Sequence, residues 1–183
     1  MNVLKTDDPA EFERFANECL REGHEGLVIH IGEKTCVWTG ALASTFDREY
    51  AEQIGLDIGQ GMYLGGTIVC FPGDLSLCLT TWGRTQFGQE CMDALEERLV
   101  QKGISVSRHN NDLLADGKKV ASWASSKQRT GWVQTVVHFS VNVDGATISR
   151  ICTKPPSNPP GALSEYGMTA NELMDMVFNS VDF

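Results

Sequence analysis

The stretch Asn111-Asp112-Leu113-Leu114-Ala115-Asp116-Gly117-Lys118-Lys119-Val120-Ala121-Ser122 places two lysines directly after an Asp-Gly turn and at the head of an apolar run. Such a turn joins two antiparallel strands, and a lysine on a strand is held more closely than one on a loop. Its ammonium suits a phosphate, or a carbonyl oxygen on which negative charge develops. Two surface lysines at a solvated hairpin tip would give the same pattern. A second stretch, Leu64-Gly65-Gly66-Thr67-Ile68-Val69-Cys70-Phe71-Pro72-Gly73-Asp74-Leu75, opens on paired glycines and closes on Pro-Gly. Residues without a Cβ let backbone N–H groups approach an anion or an acyl chain, although two ordinary turns around a buried strand read alike. His138 sits in an apolar run, as either a sheet histidine or an acid–base group. Cys152 lies between Arg150 and Lys154, cations near enough in sequence to lower a thiol pKa, which makes it a candidate nucleophile beside the reading of an ordinary structural thiol.

These residues need a scaffold, and the hydrophobic pattern supplies one. Asp8-Pro9-Ala10-Glu11 is an N-cap, an N1 proline and an N3 glutamate, after which Phe12, Phe15, Ala16, Cys19 and Leu20 recur at helical spacing up to a stop at Gly23. Residues 27–31 and 35–38 read as a hairpin turning at Gly32-Glu33-Lys34. A second helix is predicted over 43–54, then an irregular glycine-dense stretch over 55–66. Strands at 67–71 and 75–79 flank Pro72-Gly73-Asp74, and a helix covers 86–102. Further strands are predicted at 112–115, 118–125, 132–143 and 147–151, with Trp123 and Trp132 on them as aromatics that close a core or bind a ligand. A Pro-rich loop follows, and Thr169 with Glu172 forms a capping box for a last helix. Strands joined by short turns and interleaved with few helices predict an α+β fold, a mixed, largely antiparallel sheet flanked by helices, in one domain.

Composition narrows the function classes. The 183 residues carry a net charge of −9 with no stripe of Lys and Arg, which disfavours nucleic acid as a partner. No apolar run reaches the roughly 18 residues of a membrane span. The start, Met1 to Lys5 followed by Asp7-Asp8-Pro9, lacks the basic flank and apolar stretch of a secretory signal, which predicts a cytoplasmic protein. The six cysteines contain no CxxC pair and are expected as reduced core thiols, and with four scattered histidines they do not supply zinc-ligand spacing, so no metal site is predicted.

Taken together, the two stretches resemble the lipoate-protein ligases and octanoyltransferases of the biotin/lipoate-protein ligase superfamily. Gly65-Gly66 through Pro72-Gly73-Asp74-Leu75 is similar to that family's glycine-rich segment with its Pro-Gly-(Asn/Asp/Gln)-Leu turn. Asn111-Asp112-Leu113 with Gly117-Lys118-Lys119-Val120-Ala121-Ser122 resembles its lysine hairpin, and Val137-His138-Phe139-Ser140-Val141-Asn142-Val143 resembles its His-Gly-x-x-Leu-Asn-Val strand. The resemblance runs in order over about residues 25–150 and implies the fold shared with class II aminoacyl-tRNA synthetases and biotin-protein ligases.

By that resemblance Lys119 is the central cation, and Gly65, Gly66, Thr67, Val120, Ala121 and His138 contact an acyl ligand such as lipoate or octanoate. Asn111 and Asp112 reach its carbonyl or nucleotide end, and Cys152 stands near the nucleophilic cysteine of the octanoyltransferases. The implied reaction is acyl transfer to a lysine of a lipoyl carrier domain. Departures bear on the donor. Gly61-Met62-Tyr63-Leu64 stands where the ligases have arginines, Cys70 where the family has a histidine, and Ser122 and Phe139 where it has glycines. Arginine grips phosphate bidentately, so ATP with magnesium fits this chain less well than a thioester donor. A relative that binds the acyl group or the carrier without catalysis fits the same departures.

Overall fold

The computed structural model describes residues 1–40, 46–60, 66–154 and 156–183. The element order is β1 (Asn2–Thr6), α1 (Pro9–Glu22), β2 (Gly26–Ile31), β3 (Cys36–Thr39), α2 (Arg48–Gln53), β4 (Asp57–Gln60), β5 (Thr67–Cys70), β6 (Leu75–Trp82) and α3 (Phe87–Gln101). It continues with β7 (Val106–His109), β8 (Asp112–Ala115), β9 (Lys118–Lys127), β10 (Trp132–Phe139), α4 (Gly145–Ile151), a 3-10 turn (Leu163–Tyr166) and α5 (Ala170–Ser180). A seven-stranded sheet runs β1-β2-β6-β10-β9-β8-β7, and a three-stranded sheet runs β4-β3-β5. In the large sheet only β1 and β2 are parallel; in the small one β3 and β4 are. The architecture is α+β with a largely antiparallel sheet, as the pattern predicts. Among the described residues no helix is long and apolar enough to cross a membrane.

Strand alternation sends successive residues to opposite faces, and both faces of the large sheet are used. Leu27, Ile29, Leu75, Leu77, Leu79, Val137 and Phe139 face α3 and α5 in one core. The residues between them, Val28, Cys78 and Val136, face α1 and the small sheet through Phe12, Ala16, Cys36, Trp38 and Cys70. Phe12 stacks on Trp38 with ring centroids 4.5 Å apart. The small sheet is therefore a lid of strands on one face, and the space between the sheets is where a ligand can lie.

Caps act as predicted. Asp8 accepts from the Ala10 N–H at 2.8 Å, Gly23 takes φ 69° at the end of α1, and Thr169 and Glu172 close a reciprocal capping box. Four expectations need correction. Strands β2 and β3 exist but form no hairpin, because they lie in different sheets and Gly32 instead exchanges backbone bonds with Gly73 and Asp74. The glycine-dense stretch contains β4, where Gly59 lets Glu13 and Trp38 close in: a Cβ there would stand 2.7 Å from the Glu13 carboxylate. The second helix is only Arg48–Gln53, capped by Asp47, and the predicted residues 43–45 fall outside the described ones. Residues 147–151 are helical despite their β-branched side chains, because Asp144 caps α4 through the Ala146 N–H and the Thr147 hydroxyl. Strands β1 and β7 were not predicted, and both are short sheet edges.

Candidate functional site

Lys119 reaches the inter-sheet face through a defect. Along β9, Leu113 pairs with Ala121 and Leu114 with Lys119, so Val120 is an extra residue in the ladder. A bulge of this kind shifts the alternation by one position. Lys119 consequently shares a face with Ser122, while Val120 and Ala121 are both buried in the core on the helix side. Those two predicted ligand residues present no side chain to the inter-sheet space; the Val120 carbonyl instead accepts from the Ser140 N–H at 2.9 Å.

A strap holds the bulge. The Lys119 N–H donates to the Pro159 carbonyl at 2.7 Å, and the Gly161 N–H donates to the Lys119 carbonyl at 2.8 Å. Gly161 suits this approach because a Cβ would stand 2.6 Å from that of Lys118. The Lys119 ammonium lies 2.9 Å from Asp112 Oδ1, and the Asn158 amide approaches the other Asp112 oxygen at 3.4 Å. An ammonium has three donors, so pairing with Asp112 orients Lys119 and leaves N–H groups for a ligand.

Around Lys119 lie two adjoining cavities that share Thr67, Ile68, Lys119 and Ser122. One, of about 100 Å³, is enclosed by β5, His138, Ser140, Ile148, Cys152 and the strap at Asn158 and Pro160. The other, of about 220 Å³, is lined by Gly66, Asn111, Asp112, Trp123 and Val136. Of the predicted residues, Lys119, Thr67, His138 and Cys152 thus meet in one cavity, and Gly66, Asn111 and Asp112 flank the other side of the lysine. Gly65 lies outside the described residues. Sequence reasoning missed Asn158, Pro160 and Ser140, whose only signal was the paired prolines around residue 158.

Cys152 is the C-cap of α4 and half-buried. Burial pushes its thiol pKa up. This corrects the expectation that Arg150 and Lys154 would lower it: both are exposed, and neither acts on the thiol. His138 is buried and held down to about 3, first by burial and then by the Lys119 and His30 charges, so its imidazole is neutral near pH 7. Its Nδ1 lies 2.9 Å from the Ser76 hydroxyl and 3.8 Å from Cys70 Sγ, and its Nε2 lies 3.7 Å from Asp74 Oδ2.

Asp74 explains why the Pro-Gly-Asp turn and the Val-Asn-Val stretch belong together. Its Oδ1 accepts from the Val141 and Asn142 N–H groups at 2.7 and 2.9 Å, and its Oδ2 accepts from the Phe71 N–H at 2.8 Å. The Asn142 amide returns a bond to the Pro72 carbonyl. Burial raises the Asp74 pKa to about 7 against the opposing effect of those three N–H donors. Among the described residues no group of three His, Cys, Asp or Glu side chains is placed to hold a metal.

No family model and no curated sequence matches the chain. Solved structures do. A lipoate-protein ligase A bound with ATP superposes with a TM-score of 0.76 at 15% identity, over 98% of this chain and 83% of the other. A bi-partite lipoate protein ligase from Thermoplasma acidophilum, described with its E2 lipoyl domain, gives 0.75 at 13%, over 98% and 81%. LipL1 of P. falciparum in complex with lipoate gives 0.75 at 12%, over 98% and 60%. The chain has the lipoate-protein ligase fold. In this lipoate-protein ligase fold the bulge at Val120 and the strap at 156–161 set Lys119 between the sheets, beside Cys152 and β5.

Proposed function

We propose that the protein transfers a lipoyl or octanoyl group from a thioester donor to the lysine of a lipoyl carrier domain. The observation that carries this reading is the Lys119 ammonium, oriented by Asp112 at the junction of two cavities between the sheets. When an amine attacks a thioester carbonyl, negative charge gathers on the oxygen, and a preorganised donor there is worth roughly 10²–10³ in rate. Ile68, Val69, Ile148 and Pro160 give the acyl chain an apolar wall. Cys152, in the same cavity, offers a two-step route in which its sulfur takes the acyl group and the donor thiol leaves, before the carrier amine displaces the sulfur.

The donor follows from charge. Lys119 is the cationic side chain among the described residues lining these cavities, and residues 61–65 add none. A triphosphate held without arginine forgoes charge-assisted bonds of roughly 1.5–3 kcal/mol each. Mass spectrometry of a lipoyl carrier domain incubated with the protein tests the reading. Acylation is expected with octanoyl thioester and not with ATP, magnesium and octanoate. Acylation from ATP would make the protein a ligase. A carrier unmodified by either donor would favour the acyl- or carrier-binding relative without catalysis, which Lys119's neutralisation by Asp112 and the raised Cys152 thiol also fit.

The two-step route has its own signature. Incubation with octanoyl thioester alone is expected to leave a thioester adduct on Cys152, absent in Cys152→Ser, by peptide mapping. A carrier acylated at full rate by Cys152→Ser would assign direct transfer.

A further inference from the structure

We propose that Cys36 and Cys70 are a peroxide-sensitive dithiol, joined into a reversible disulfide across the small sheet. The two residues are direct partners in the antiparallel β3–β5 ladder. The Gly40 N–H donates to the Gly66 carbonyl four positions further along the same register. Hydrogen-bonded and non-hydrogen-bonded pairs alternate along such a ladder, so Cys36 and Cys70 occupy a hydrogen-bonded pair. Its Cα atoms stand about 5.5 Å apart, within the roughly 4.4–6.8 Å that disulfides span. Its Cβ atoms lie towards the wide end of about 4.5–5.5 Å, where a relaxed disulfide wants about 3.5–4.5 Å, so bridging must draw the two strands together and leaves a bond that is readily reduced. The two thiols already interact side by side, each free and buried.

Access comes from the far side of β3. Cys36 lines a cavity of about 190 Å³ with His30, Lys34 and the carboxylates Asp7, Asp8, Glu33 and Asp57, so acidic groups outnumber the one lysine. That acidic rim repels anionic oxidants such as glutathione disulfide and admits neutral hydrogen peroxide. The Cys36 sulfur attacks the peroxide oxygen, the O–O bond breaks, and water leaves, giving a sulfenic acid. The Cys70 sulfur then displaces that hydroxyl group, which departs as a second water with the Cys70 proton. Two thiols lose two electrons and one peroxide becomes two waters. The bond withdraws Cys70 from His138, 3.8 Å away, on a strand whose Val69 and adjoining Phe71 line the Lys119 cavity. The inference stands on the ladder and does not rest on the acyl-transfer reading.

The test is non-reducing peptide mapping of the full chain after limited hydrogen peroxide. A Cys36–Cys70 linked peptide, two hydrogens lighter, is expected to form and to vanish with dithiothreitol. It should form several-fold faster than with glutathione disulfide at equal concentration. The dithiol is overturned if both cysteines stay alkylatable, if each ends as a separate sulfinic acid, or if Cys19–Cys78 links instead, and equal rates with glutathione disulfide overturn the access argument. Wild-type protein suffices for these arms. Cys36→Ser, checked for folding by circular dichroism, should lose the linked peptide.

Discussion

Replacing Lys119 by alanine is expected to lower acyl transfer to the carrier lysine by about 10²-fold or more while leaving the fold in place. The side chain is about one-third exposed, and its pair with Asp112 is a partly exposed one. Such pairs contribute roughly 0–1 kcal/mol, so a thermal melt should move by only a few degrees. The backbone of residue 119 keeps its two bonds to the strap whatever the side chain. Asp112→Asn separates orientation from charge: the ammonium stays but loses its anchor, so turnover should fall less than in Lys119→Ala. A Lys119→Ala protein with wild-type turnover would remove the lysine from the chemistry. One that fails to fold would show that Lys119 packs rather than reacts.

How much of this site was legible in the sequence depends on what kind of contact built it. The hairpin at Asp116-Gly117 is local, and β8 begins and ends where the turn chemistry puts it. The juxtaposition of Thr67, Lys119, His138 and Cys152 came through family resemblance, since no periodicity links residues on four different segments. The bulge escaped notice because nothing in Lys118-Lys119-Val120-Ala121 distinguishes an extra residue from regular alternation. Regular alternation would have put Lys119 with Ala121 in the helix-side core. The bulge depends on the strap, some forty residues onward, and a pairing through Pro159 and Gly161 leaves only prolines and a glycine as its trace.

The fold divides in the same way. Helices α1 and α5 were readable because their caps and apolar faces are local, and α3, which has no side-chain cap at its start, from its apolar face and the stop at Gly103. The β2–β3 connection misled because a glycine-containing turn between two apolar runs is what a hairpin looks like. What decides otherwise is the aromatic packing of Trp38 on Phe12 and the docking of Gly32 on the 72–74 turn. Both partners are distant in sequence. Residues 147–151 misled for the opposite reason: β-branched side chains favour strands, but a single capping aspartate with two local bonds outweighed propensity in a seven-residue helix.

Asp74→Ala should be the most destabilising single change around the site, and its cost should depend on pH with a definite sign. Removing the carboxylate strands the Phe71, Val141 and Asn142 N–H groups, the first two on buried residues. A buried donor left unsatisfied costs roughly 1–3 kcal/mol, so a loss of about 3 kcal/mol or more is expected at pH 7. The folded-state pKa, raised to about 7 from an ordinary 3.8, means that the native state holds a proton that the unfolded chain releases. The stability Asp74 contributes is therefore fully present below pH 3.8 and is lost as pH rises through 7. At about 1.36 kcal/mol per pH unit, the gap between wild type and Asp74→Ala should be wider at pH 5 than at pH 7 by about 2 kcal/mol. His138 runs the other way: with its pKa lowered to about 3, its contribution is intact above 6.5 and is lost as pH falls towards 3. The two slopes oppose each other in wild type between about pH 4 and 6.5, which flattens its profile, whereas Asp74→Ala leaves the His138 slope uncovered. Urea unfolding of both proteins from pH 5 to 8 reads this out. A gap that is constant across the range, or that widens towards pH 8, would show that Asp74 is ionised in the native state and that its three N–H bonds outweigh its burial.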